Sequence, residues 1–448
     1  MRSTMSIIPF ASLLDEAPGQ AGAAFVARAK RPLAAFLSGF GLFVILLTLQ
    51  PFPILDTESD ISLDTANIIN QVGYLGLGGL YLGAMLALCD RQVLKTLLSP
   101  SWAIIFAIAF LSCLQSWNPA SATRGLMLSL VVLILVAAVL VLPRSERDFA
   151  NASANAVLLL LVIDYIALVV APSRSIHLNV GLEATHAGYW KGHLMHKNIS
   201  APVFSVLSMF GIYAYRVGLR WRGAAIAALA IIFVLNTGSK TTIGFLPVAV
   251  LLVAIGSATR RPSLMILCHA LFTLIIFSLT IGTTWFESFD RFTQEILPDP
   301  TFTGRSDIWR FASASIPQHF WVGHGYASFW LSPVIQGLEK DFEANWDVRG
   351  IVSGHNSYLD VVLTFGVPGG LMIITLLFVK PFADYLRALK QEVNRPFADF
   401  CIMVIVFMTY NGMMESFILN RAEPMWLQTA LAVTGLMLMA KLPLRSLP

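Results

Sequence analysis

Charge is what this sequence has least of. Only 12% of its 448 residues are Asp, Glu, Lys or Arg, about half the share found in soluble domains. So low a share lies far outside the composition of soluble globular domains, and lipid is the solvent implied. Runs of one sign are missing as well. The net charge of +4, from 30 Lys+Arg against 26 Asp+Glu, is too small an excess to mark a nucleic-acid surface. Cysteine is scarce: Cys89, Cys113, Cys268 and Cys401 are the four. Each lies in an apolar run and none in a Cys-x-x-Cys pair, which excludes a disulfide framework and a metal knuckle. A convincing cleaved leader is absent too. The apolar stretch around Ile7 to Leu14 is interrupted by Asp15 and Glu16, and residues 1–32 read as a cytoplasmic tail.

What is present is hydrophobicity, 56% of residues with a mean hydropathy of +0.71. It is arranged in uninterrupted runs near the ~20 residues that cross ~30 Å of hydrocarbon. Apolar runs between charged or Pro/Gly-rich breaks predict helices near Leu33–Gln50, Val72–Cys89, Ser101–Ser116, Gly125–Leu142, Ser153–Ala171 and Ile199–Val217. Six more follow near Gly223–Thr237, Thr242–Ser257, Ser263–Thr283, His355–Val379, Phe397–Met414 and Met425–Lys441. The expected fold is an all-α integral membrane protein of about twelve transmembrane helices with one large extracytoplasmic loop. Residues 33–283 hold the first nine spans, 284–354 the loop subdomain, 355–441 the last three, and 442–448 a second cytoplasmic tail. The glycine-rich run GYLGLGGLYLGAML in the second span reads as close helix packing. No strand or acidic partner accompanies it, as a nucleotide loop would require.

The short loops set the orientation. DRQVLK, PRSERD, RVGLRWR and TRRP are basic, whereas Pro51 to Gln71 holds acids and no base. Basic loops stay in the cytoplasm, so both termini are expected inside and the large loop outside. That loop carries WFESFDRF, TGRSDIWRF, WVGHGYASFW and NWDVRG. Its aromatic residues suit a membrane interface and also offer flat apolar faces to sugar rings, the interface role being the commoner for any one of them.

Four polar clusters stand at the outer ends of spans, where charge is costly and commonly functional. They are Lys191-Gly-His-Leu-Met-His-Lys-Asn198, Asn236-Thr-Gly-Ser-Lys-Thr-Thr242, Gly304-Arg-Ser-Asp-Ile-Trp309 and Ser353-Gly-His-Asn-Ser-Tyr358. Each has a plain structural explanation when taken singly. Asn198 or Ser353 can cap a helix, Lys240 can snorkel to headgroups, and His355 can be an interfacial histidine. Together they combine fixed cations with a residue able to move protons near neutral pH, and that combination suits a diphosphate. Arg305 offers two parallel donors, Lys240 a point charge, and the helix start after Gly354 exposed N–H groups. His355 is best suited to accept a hydroxyl proton. His193 and His196 lack a third ligand at metal spacing and no paired acidic motif appears, so no metal site and no cofactor is indicated.

In order and spacing, GHLMHKN, TGSKT, the loop with GRSDIW and GHGYASFW, and HNSYLDVVLTFGVPGGLM resemble the O-antigen ligase and polysaccharide polymerase family over about Gly192 to Leu371. Within it the chain is most similar to the exopolysaccharide polymerase branch. The resemblance implies a metal-independent glycosyltransferase of the bacterial inner membrane with a periplasmic active site. Its partners would be a polyprenyl-diphosphate-linked oligosaccharide, a growing polysaccharide chain, and other export and chain-length proteins, with no nucleic acid. It makes His355 the base, Arg305 and Lys240 the diphosphate ligands, and Arg124 an addition to the donor site. It adds His196, Lys197, Asn198 and Asn356 as donor- or acceptor-site candidates. Many ligase members carry arginine where Lys240 stands, so a bidentate grip is not implied there. The alternatives are a ligase passing a finished glycan to a lipid or protein, a transporter or flippase for which Asp164 and Asp360 would be the deep acids, and a non-catalytic assembly subunit.

Overall fold

A computed structural model of the chain describes residues 20–53, 68–179, 181–297, 301–302, 304–330, 332–338, 347–349 and 351–442. Outside these fall most of the N-terminal tail, most of the acidic first loop, much of NWDVRG and nearly all of the C-terminal tail. Among the described residues there is no strand, only an isolated bridge between Ile176 and Trp190. Every apolar run expected to be helical is helical. In chain order these are α1 (Gln20–Leu47), α2 (Ile68–Leu88), α3 (Pro100–Cys113), α4 (Pro119–Val141), α5 (Glu146–Val170), α6 (Lys197–Arg216), α7 (Arg220–Asn236), α8 (Lys240–Ala258), α9 (Pro262–Leu279), α10 (Ser357–Ile374), α11 (Arg395–Asn411) and α12 (Pro424–Met439).

The protein is a multi-pass membrane protein, and the exact count of twelve spans is not confirmed by the described helices. Nine helices among the described residues are long and apolar enough to cross a bilayer, or ten if the short helix Arg91–Leu97 and α3, bent by 46°, form one span. α7, at 17 residues, and α12, at 16, lie at the short end of the ~17–25 residues that cross the hydrocarbon. An apolar run shows that a helix avoids water, not that it reaches both faces. α12 is buried along its whole length, so its hydrophobicity serves the bundle interior.

Helix ends differ from the apolar runs for local reasons. α5 begins at Glu146, seven residues before the apolar run, because Ser145 caps it by accepting from Asp148 N at 3.1 Å. Glu146 and Asp148 then sit in the first turn, where negative charge complements the helix dipole. Arg31 on α1 grips Asp148 with Nε at 3.0 Å and Nη2 at 3.1 Å.

The centre of the bundle is α11 and α12, packed against α4, α6 and α8. Lipid tails are as apolar as leucine, so shape and interhelical hydrogen bonds hold such helices together. Ser38 Oγ donates to Val139 O at 2.7 Å, Tyr81 OH to Leu37 O at 2.6 Å, and Gln428 Nε2 to Val203 O at 3.3 Å. Near the start of α11, buried Asp399 accepts from Tyr385 OH at 2.8 Å and Ser257 Oγ at 2.9 Å and pairs with Arg216 at 2.8 Å.

The segment between α9 and α10 folds onto the bundle rather than standing apart. It contains the helices Glu287–Ile296 and Arg305–Ser315. Its Ile308, Trp309, Phe329, Trp330 and Ile335 form a second apolar core with Leu359 and Leu363 of α10. Trp309 and Trp330 are therefore core residues, while Trp285 and Trp321 stay exposed.

Candidate functional site

α10 opens with a cap. Asn356 Oδ1 accepts from Tyr358 N at 3.0 Å and Leu359 N at 3.1 Å, and its Nδ2 donates to Met413 O at 2.7 Å. Asn356 thereby fills the N–H groups that the sequence suggested for an anion, and it, not Ser353, caps the helix. Next to it the segment after α11 is bound closely. Asn356 N donates to Ser416 Oγ at 2.9 Å, Ser357 N to Gly412 O at 2.7 Å, and Ser357 Oγ to Glu415 O at 2.8 Å. Between these anchors His355 is held at φ 46°, in a left-handed region where a non-glycine residue costs about 1–3 kcal/mol.

The same anchors bring Glu415 to His355. Glu415 Oε2 lies 3.3 Å from His355 Nδ1, and Oε1 lies 2.8 Å from Arg305 Nη2. Arg305 Nη1 also donates to Met414 O. Arg305 opens the helix Arg305–Ser315, after Gly304 in the left-handed conformation. Burial opposes ionisation of Glu415, but the charge of Arg305 and the hydrogen bond and charge of His355 win, holding its carboxyl below the ordinary value. The His355 side chain remains 38% exposed while those of Arg305 and Glu415 are 14% and 11%. An open imidazole thus stands on a closed ion pair.

Lys240 is the first residue of α8, exposed, and Ser239 makes no side-chain cap there. The helix start keeps N–H groups that an anion can use. Thr242 Oγ1 donates to Asn411 Oδ1 at 3.4 Å, which sets this helix start against the end of α11, four residues before Glu415. Lys197, buried at the start of α6, lies within electrostatic reach of Lys240. Its Nζ sits 4.2 Å from the Tyr189 ring centroid and donates to Gly238 O at 3.4 Å.

His196 caps α6, its Nδ1 accepting from Asn198 N at 3.1 Å, so Asn198 is not the cap. Burial, then the neighbouring His177 and His186, push His196 down to about 3, and it is neutral at physiological pH. The three rings lie 4.9 to 5.6 Å apart. Among the described residues no group of three or more His, Cys, Asp or Glu is arranged to hold a metal ion.

A break in α10 fastens the loop segment to that helix. At Gly366 the helix takes φ 72°, ψ 168°, and carbonyls released there accept from the loop. His324 N donates to Leu363 O at 2.7 Å and Gly325 N to Thr364 O at 3.2 Å. A Cβ at Gly366 would meet the Trp321 backbone at 2.6 Å. Asp360 is committed nearby, accepting from Trp330 Nε1 at 2.8 Å and Gly354 N at 3.0 Å. Asp164 is committed too, 2.8 Å from His193 Nδ1, with His193 Nε2 bonded to Leu46 O at 2.9 Å. Both deep acids have internal partners.

The structure therefore brings His355, Asn356 and Arg305 together, with Lys240, Lys197 and His196 around them. Arg124 does not join that group. It lines a cavity shared with Arg421 and Glu423. Glu415 went unnoticed in the sequence. Its signal was a lone acid in NGMMESFILN, at the same end of the bundle as the other clusters.

Residues 225–374 match the family model Wzy_C, described as O-Antigen ligase. No curated protein matches the chain. The matched segment holds Lys240, Arg305, His355 and Asn356, and stops before Glu415. It agrees with the resemblance read from the motifs at the level of the family, without reaching the exopolysaccharide polymerase branch, and supports a membrane enzyme that processes glycans.

Proposed function

We propose, from a chain whose residues 225–374 match O-antigen ligases, a membrane glycosyltransferase that polymerises polyprenyl-diphosphate-linked oligosaccharide repeat units into exopolysaccharide. The observation that carries this reading is Glu415 bridging Arg305 and His355. With Nδ1–H donated to Glu415, His355 keeps Nε2 as a base for the acceptor hydroxyl. The acceptor oxygen then attacks the anomeric carbon of the donor sugar. The bond from that carbon to the diphosphate oxygen breaks, and polyprenyl diphosphate leaves with the electron pair. Lys240 and the open start of α8 face the developing charge. Arg305 spends two donors on Glu415 and Met414, which leaves it others and a fixed charge for the diphosphate. The scheme draws its charge stabilisation from side chains and uses no metal.

The basic short loops support cytoplasmic termini and a site on the outer face of the bacterial inner membrane. In this arrangement residues 284–354 form a periplasmic subdomain over the site. The donor is the polyprenyl-linked oligosaccharide, and the acceptor is another repeat unit or the growing chain. Export and chain-length proteins are the expected neighbours.

The test is incubation of purified protein with a polyprenyl-diphosphate oligosaccharide, reading product size. A ladder of products is expected. His355→Ala and Arg305→Ala should each abolish it at unchanged membrane level, and full-length polymer from both variants would sink the assignment. The ligase reading is favoured by the match to the O-antigen ligase family model. It would show as a single transfer to a lipid or protein acceptor, whereas unmodified substrate moved across a bilayer would indicate a flippase.

A further inference from the structure

A cavity of about 450 Å³ opens between the end of α1, the starts of α2 and α4, the segment before α6, and the loop joining α11 to α12. That volume lies in the range of small-ligand pockets. Its polar lining includes Arg124, Arg421, Asn70, Gln71, Asn420 and Glu423. The loop holding Arg421 is fixed in shape. Tyr326 OH donates to Leu419 O at 2.7 Å, Asn420 Nδ2 to Glu423 Oε2 at 2.6 Å, and Arg421 itself has φ 33°. Gly125 allows the arginine in: a Cβ there would lie 3.1 Å from Arg421 Nε. The guanidinium is thus seated beside the turn of α4 that carries Arg124.

Among the described residues neither arginine has an ion-pair partner. Glu423 does not compensate them, because burial raises its carboxyl to about 8 and leaves it mostly protonated at neutral pH. Two neighbouring cations that pair with no acid among the described residues offer an anion a place at the end of the bundle. The side-chain amides around them are suited to hydroxyl groups.

We propose that this cavity is an acceptor subsite for a glycan bearing an anionic group, carboxylate or phosphate, held by Arg124 and Arg421. The proposal rests on the glycosyltransferase reading and adds the class of acceptor. Two electrostatic contacts link the cavity to the His355 group. The segment 193–199 includes His196, which lies within electrostatic reach of Glu415, and Glu415 in turn lies within reach of Glu423. Lys240, to which the donor diphosphate is assigned, does not line the cavity, so donor and acceptor are held by different cations.

The experiment is calorimetric titration of the purified full chain with trigalacturonate, the neutral maltotriose and farnesyl diphosphate. Trigalacturonate should bind at least tenfold more tightly than maltotriose. That advantage should fall at least tenfold in Arg124→Gln and in Arg421→Gln, and be unchanged in Lys240→Gln. Farnesyl diphosphate should show the reverse pattern. Arg124 is exposed, so its variant reads the cavity without disturbing the strained loop at Arg421. Equal binding of the acidic and neutral sugars, or full trigalacturonate binding by Arg124→Gln, overturns the proposal. So does loss of farnesyl diphosphate binding in both arginine variants, which would give the cavity to the donor. Polymer formation is scored separately. Selective acid binding without any polymer supports the cavity and sinks the enzyme reading, and polymer without acid selectivity does the opposite.

Discussion

Glu415 stands 3.3 Å from His355 through one carboxylate oxygen and closes an ion pair with Arg305 through the other. One acid therefore couples a half-exposed imidazole to a largely buried guanidinium. The arrangement follows the logic of a base oriented by a third group, built from three separate stretches of chain. His355 comes from the start of α10, Arg305 from the loop segment, and Glu415 from the segment after α11.

Glu415→Gln keeps the shape and removes the charge. The Arg305 contact weakens and the His355 ring loses the acceptor that fixes its orientation. Polymer formation should fall about 10²-fold or more, the usual worth of a positioned acid–base group. Membrane level should be maintained and donor binding changed less than turnover. Turnover within threefold of wild type would remove Glu415 from the mechanism.

How much of this was legible in the sequence depends on the kind of signal. Lys240, Arg305 and His355 announce themselves as polar residues against long apolar runs, and the helices follow from those runs. Glu415 gave no such contrast with an established motif, since its importance lies in which distant residues it reaches. The span count is unconfirmed for a related reason. Hydropathy reports that α7 and α12 are hidden from water, but α12 is hidden by other helices. The cap of α10 was misjudged for a local reason. His355 turns the backbone left-handed, and that moves the capping position from Ser353 to Asn356.

Asp164 and His193 form a pair with no side-chain exposure. Removing one partner strands the other, at about 3–5 kcal/mol. Asp164→Ala should lower the thermal midpoint in detergent sharply, and Asp164→Ala with His193→Ala should cost less than the two single losses added. Additive losses would show that the pair does not act as a unit.

Gly366 is open to a direct steric test. Gly366→Ala introduces a side chain at φ 72° and a contact of 2.6 Å with the Trp321 backbone. The loop segment 319–325 should detach from α10, becoming accessible to limited proteolysis, and polymer yield should fall with it. Protection equal to wild type would mean that α10 absorbs the change.

Stability should depend on pH in two windows of opposite sign. The folded protein holds a proton on Glu423 up to about 8, whereas an unfolded chain releases it near the ordinary carboxyl value of about 4.3. Its contribution is therefore lost as pH rises between those values, and Glu423→Gln should flatten the decline of the thermal midpoint from pH 6 to 8. Glu415 is held below its ordinary value, so its contribution is present above that value and lost as pH falls through it. Glu415→Gln should flatten the acid side most, and the other limb less, because burial rather than the Glu415 charge is the main cause of the raised Glu423 value. An unchanged acid limb in Glu415→Gln, or an unchanged decline from pH 6 to 8 in Glu423→Gln, would contradict these assignments.

Lys240 offers the cleanest separation of charge from geometry. It is exposed at the first position of α8, beside Lys197, at a helix start that Ser239 leaves uncapped. An ammonium acts there as a point charge, with the helix N–H groups supplying direction. Lys240→Arg keeps the charge and should retain donor affinity within about threefold, whereas Lys240→Gln should raise the donor KM about tenfold, close to 1.4 kcal/mol. The fold itself should be indifferent to either change, because the side chain is exposed and makes no ion pair among the described residues. Added salt should weaken donor binding in wild type and Lys240→Arg more than in Lys240→Gln, since screening acts on the charge that the last variant lacks. If Lys240→Gln binds the donor as wild type does, the diphosphate is held elsewhere, and Arg305 alone would have to supply the cation.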